Sequence, residues 1–180
     1  MSVLVEIPVY ILLSHHMKYV VPTVYNIFSL VEFYLLIRMF YNWGVFRKKM
    51  TLNLIIVLAV VLFLSTLYIN GYAMMNYFSL IVNSFALIFL SISAFNKMII
   101  NERNNIFKNA KFWICIGMII FYTYDILVNT EQLSFLHIKR TKDFENKIWQ
   151  INAYSNLLVN LLYAVAVIWI PRKKNIITLL

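Results

Sequence analysis

Little in this chain suits water, tight turns or covalent staples. Three glycines and three prolines among 180 residues leave few places where the backbone can leave regular structure. A lone cysteine, Cys115, excludes an intrachain disulfide, and three histidines are too few for a Cys/His metal framework. Acids are also scarce, seven against sixteen Lys and Arg, for a formal charge of +9. In a soluble protein such an excess points to nucleic acid. Here the cations stand at the ends of apolar runs, where they mark topology and meet anionic headgroups, so no nucleic acid is expected. Catalytic signatures are missing as well: no G-x-S-x-G, no H-E-x-x-H, no P-loop, and no paired Asp of the intramembrane protease kind. Neither an enzyme nor a cofactor is expected.

What fills the chain instead is apolar. Hydrophobic residues make up 62% and aromatics 17%, and the mean hydropathy is +0.77. Irregular backbone is not tolerated against lipid, and a membrane β-barrel would show ten-residue alternation rather than long apolar runs. The expected fold is therefore all-α, a polytopic transmembrane helix bundle forming a single domain over residues 1–180. A span needs roughly 20 apolar residues, and five stretches supply them at about 19–40, 52–69, 77–95, 112–128 and 149–171. The second is nearly free of polar groups, as a lipid-facing helix should be.

Val3 to Leu13 is apolar but too short to cross, and Glu6 and Pro8 interrupt it. It reads as a half-span or an incomplete sixth span, and a start upstream of Met1 would look the same. With no cationic leader and no small-x-small cleavage site it does not read as a signal peptide. Residues 96–111 read as a polar loop or a surface helix, and 129–148 as a polar loop of mixed charge. The cations sort by side. Arg47, Lys48, Lys49, Lys97, Arg103, Lys108, Lys111 and Arg172 to Lys174 share one; Lys18, Lys139, Arg140, Lys142 and Lys147 share the other. The positive-inside rule then puts the 41–51 and 96–111 loops and the C-terminus in the cytoplasm, in a cytoplasmic (inner) membrane.

Polar groups within the spans are the candidate functional residues. Asn152, Asn156 and Asn160 follow at a spacing of four, with Ser155 beside them, as one slowly drifting stripe on the last span. Amides are costly in hydrocarbon unless partnered, so the stripe should face helices, water or a ligand. With each residue advancing about 1.5 Å, Asn26, Asn83, Asp125, Asn152 and Asn156 fall in the outer half, and Glu32, Ser91 and Asn160 nearer the midplane. Several polar groups from four helices at similar depth imply a polar, outward-opening cavity. Glu32 is the sharpest of them, because a carboxylate near the bilayer centre costs at least a few kcal/mol and must be protonated, paired or wetted. The alternative for each is local: Glu32 and the amides as inter-helix adhesive, Asp125 as an interfacial acid reaching water. His15 and His16 stand near the outer surface, where with Glu6 they make a weak metal candidate.

Three segments carry a resemblance: VYNIFSLVEFYLLIRMFYNW (Val24 to Trp43), KNAKFWICIGMIIFY (Lys108 to Tyr122) and IWQINAYSNLLVNLLYAVAVIWI (Ile148 to Ile170). The chain resembles a widespread group of small bacterial multi-span membrane proteins, some of them similar to the membrane part of sensor kinases. In that group a Tyr-Asn-x-Phe-x-Leu-x-Glu-Phe helix, a Phe-Trp-Ile-x-x-Gly helix start and a final Asn-bearing helix recur. The resemblance marks Asn26, Glu32, Phe112, Trp113, Gly117, Asn152 and Asn156, and implies no known chemistry. This chain departs from the group in lacking a complete first span and an appended signalling domain. The expectation is a non-enzymatic sensory or regulatory module that passes a helix shift to a cytoplasmic protein partner. Two alternatives stand beside it: an oligomeric membrane effector or accessory protein, for instance of a bacterial defence system, and a small transporter or channel.

Overall fold

The computed structural model describes residues 20–46, 48–71, 74–101, 106–133 and 142–170. The short apolar segment at 3–13, His15 and His16, Arg47, Arg103, residues 134–141 of the 129–148 loop and the basic residues at 172–174 lie outside them. The protein is all-helical: α1 (Val21–Asn42), α2 (Lys49–Asn70), α3 (Tyr77–Asn101), α4 (Ala110–Glu131) and α5 (Lys142–Ile168), with a short 3₁₀ turn at Ile106–Lys108. All five α-helices are long and apolar enough to cross a membrane, which makes this a multi-pass membrane protein.

Two helices overrun the expected bounds furthest. α3 continues to Asn101 because Met98 keeps the buried period of the helix, although Asn96 and Lys97 read as the start of a loop. α5 starts at Lys142, and Asp143 in its first turn suits the positive end of a helix. Pro22 opens α1 at a position where no backbone N–H is needed.

α3 packs closely on α4, and α4 on α5, while α1 and α2 touch each other and α3 over shorter stretches. The close pairs have a cause in the sequence. Along α3, Ser84, Leu87, Ser91, Ala94 and Met98 recur at three and four residues, and all are buried. Cys115, Met118, Tyr122 and Asn129 repeat that spacing on α4, and Ser155, Val159 and Ala166 carry it on α5. Small residues in such a seam let backbones approach, which is what holds helices together where lipid offers no hydrophobic drive. α2 turns Leu54, Val57, Leu58, Val61 and Leu64 outward, in keeping with a face on lipid.

The connections are tied by polar contacts. At the end where α1 meets α2, called here the basic end, Gly44 adopts a φ of 72°. Lys97 of α3 donates to the Gly44 carbonyl. Lys111 lies 5.8 Å over the Trp43 ring, and Trp113 Nε1 donates to the Phe107 carbonyl at 2.8 Å. At the opposite end Asn76 is the organising residue, buried just before α3. Its Oδ1 accepts from the Ser79 N–H at 3.3 Å, as a helix cap does, and its Nδ2 donates to Thr66 of α2.

Candidate functional site

Two adjoining spaces lie between α1 and the α3–α4–α5 layer. The larger is a cleft of about 590 Å³ in the half of the bundle next to the basic end. α1 makes no extended contact with α5, so the cleft runs between them, floored by α4. Its walls are mostly apolar, with Leu36, Met39, Met118, Val159, Ala166 and Val167 among them. Into these walls are set Glu32 of α1, Tyr122 of α4, and Asn156, Asn160 and Tyr163 of α5.

The smaller space, about 130 Å³, lies toward the opposite end and has more polar residues around it: Ser29, Glu32, Asn83, Ser84, Asp125 and Asn129 all line it. Ser84 Oγ donates to Asp125 Oδ2 at 2.8 Å, joining α3 to α4, and Asn129 Nδ2 donates to the Asp125 carbonyl at 2.8 Å. Glu32, Phe121 and Tyr122 line both spaces and form the partition between them. Such a chamber is roomy and polar enough for a few waters, each of which needs about 30 Å³ in the liquid.

The seven expected site residues therefore do not share one space. Glu32, Asn156 and Asn160 meet in the cleft; Asn83, Asp125 and again Glu32 meet in the chamber. Asn152 lines neither, because a spacing of four overshoots a helical turn by about 40° each step, and two steps turn Asn152 well away from Asn160. Asn26 is a structural clamp, 2% exposed. Its Nδ2 donates to the Met74 carbonyl at 2.9 Å and its Oδ1 accepts from the Asn76 N–H at 3.0 Å, tying α1 to the connection before α3. The space expected to open outward is thus divided by Phe121 and Tyr122, and its larger part lies toward the basic end.

Sequence reasoning missed Tyr122, Tyr163 and Gly117 as parts of one arrangement. Gly117 matters for its missing side chain: a Cβ there would stand 2.6 Å from Tyr163 Cε1. The glycine lets the Tyr163 ring pack directly against α4, where it forms part of the cleft wall. The signal was present as a glycine inside a span, but its partner on α5 is not visible from spacing alone.

Electrostatically the cleft is unbalanced. Among the described residues no hydrogen bond reaches the Glu32 carboxyl or the Asn156 and Asn160 amides, and no Lys, Arg or His lines either space. Arg38, on the same helix, instead donates to the Tyr34 hydroxyl at 3.3 Å. Compared with known proteins, the chain matches no family model, no curated protein and no solved structure.

Proposed function

We propose that this chain is a non-enzymatic sensory or regulatory module in which the α1–α5 cleft binds a ligand within the bilayer. One observation carries the reading. A carboxyl from α1 and two amides from α5 enter the same cleft with no bond to the described protein around them. Polar groups at membrane depth that merely hold helices together are bonded to one another, as Ser84 and Asp125 are. Groups left open in a cleft of several hundred Å³ are what a binding site presents.

The same geometry supplies a route outward. α1 is held less closely than α3, α4 and α5 are held to one another, so a ligand bridging α1 and α5 can shift α1 against the rest. At the basic end that movement reaches Trp43, Gly44, Lys97 and Lys111. With the basic end in the cytoplasm, these cations contact anionic headgroups or a protein partner. The test is paired pull-down and ligand screening on Glu32→Gln and Asn156→Leu. Altered partner capture or ligand response in both is expected, and unchanged behaviour in both would refute the reading.

The oligomeric alternative has one observation of its own. Only 17% of the α5 span is buried, against 39% for α3, so α5 has an outward face that a second copy could cover. Size exclusion in detergent separates the two, since a stable symmetric oligomer favours the effector reading.

A further inference from the structure

The cleft has a definite charge preference. Glu32 is the one ionisable acid in its wall, Asp125 is the nearest acid across the partition, and no described basic side chain reaches either space. The described cations nearby are engaged elsewhere: Arg38 with Tyr34, Lys97 with the Gly44 carbonyl, and Lys111 over Trp43. A carboxyl at this depth must be protonated, wetted or paired with a cation, and since no described basic side chain supplies that partner, a cationic ligand is what can hold it ionised.

The surrounding walls fit that charge. Phe121, Tyr122 and Tyr163 set aromatic rings in the same cleft, and the negative faces of such rings attract ammonium-type centres most strongly where water is excluded. Asn156 and Asn160 add amide oxygens, which accept hydrogen bonds from an N–H centre. From Glu32 the cleft continues toward the basic end between apolar side chains such as Leu36, Met118, Val159 and Ala166, room for a hydrocarbon body. Resting on the binding reading above, we infer that the α1–α5 cleft takes a lipophilic cation: an ammonium-type centre seated at Glu32, carried on an apolar body lying along the cleft.

Dodecylammonium, dodecanol and laurate share a chain length and differ in head charge. Each is dialysed to equilibrium against nanodiscs of neutral phosphatidylcholine with and without the full-length protein, and the excess bound is measured. Saturable binding of the cation alone is expected. Glu32→Gln should weaken it at least about tenfold, in line with removing one partner of a desolvated charge pair. Leu36→Trp, which narrows the cleft at a half-buried position of its wall, should weaken it as well. Asn160→Asp, which adds a second acid at an exposed position of the wall, should tighten it and does not depend on the Glu32 variant folding.

Saturable dodecanol or laurate binding that Leu36→Trp weakens, with no cation binding, would overturn the charge assignment and leave the cleft as a binding site. Cation binding unchanged in a normally melting Glu32→Gln protein would also overturn the assignment. Saturable binding of none of the three would overturn the assignment and count against the cleft as a site for amphiphiles.

Discussion

Asn26 and Asn76 form a pair in which one side chain satisfies two backbone groups of a distant segment. Replacing Asn26 by leucine keeps the branching at Cγ but leaves the Met74 carbonyl and the Asn76 N–H without their partner. An abandoned buried group costs about 1–3 kcal/mol, so Asn26→Leu should lower thermal stability in detergent by a margin easily seen in a melting curve. If Asn26 lined a ligand space instead, the same change would alter binding and leave melting unaffected. Gly117 poses the opposite problem. Alanine there would meet the Tyr163 ring, and such overpacking typically costs about 1–3 kcal/mol. Gly117→Ala should therefore destabilise the protein and push Tyr163 into the cleft. Adding Tyr163→Leu should recover most of the loss, a coupling that a double-mutant cycle reads directly.

At this scale the sequence was only partly legible. Glu32 stands out because a carboxyl in a span is rare, and depth counting brought it near Asn160. Asn26 was grouped with them since depth alone cannot tell a residue facing a cavity from one facing a loop. Asn76 went unread, although an Asn directly before an apolar run is a helix-start signal. The meeting of Gly117 with Tyr163 depends on the rotation of two helices about their own axes, which no single span encodes.

The elements obey a simpler rule. Where two helices alternate small and apolar residues at three and four positions they pack closely, and where the outer face is uniformly aliphatic they face lipid. Ser91 and Ser93 of α3 show the contrast: Ser91 is 0% exposed in the seam, while Ser93 lies on the exposed face. Ser91→Leu should separate α3 from α4 at a cost of about 1–3 kcal/mol, whereas Ser93→Leu, facing hydrocarbon, should be near neutral. Equal melting of the two variants would dissolve the seam argument. The number of helices and their order were readable from apolar runs, because a bilayer of fixed thickness demands them. Their ends were not, since a helix runs on through polar residues such as Asn96 and Lys97 as long as one face still finds a neighbour.

In the whole molecule these pieces make a tightly packed layer of α3, α4 and α5 with α1 and α2 set against it more loosely. The cleft follows from that asymmetry, because α1 and α5 are each committed to other partners. Its charge follows from the residues that line it, and it lies next to the cation-rich end.

The most direct test asks whether the Asn156 and Asn160 face is wet. In a Cys115→Ala background, single cysteines replace Asn156 and Asn160 and, one residue further along, Leu157 and Leu161, which point outward. Charged thiosulfonate reagents attack only an ionised thiol, so a cysteine packed against lipid stays inert. The account predicts reaction at positions 156 and 160 and silence at 157 and 161. Equal reactivity at all four, or silence at all four, would contradict it.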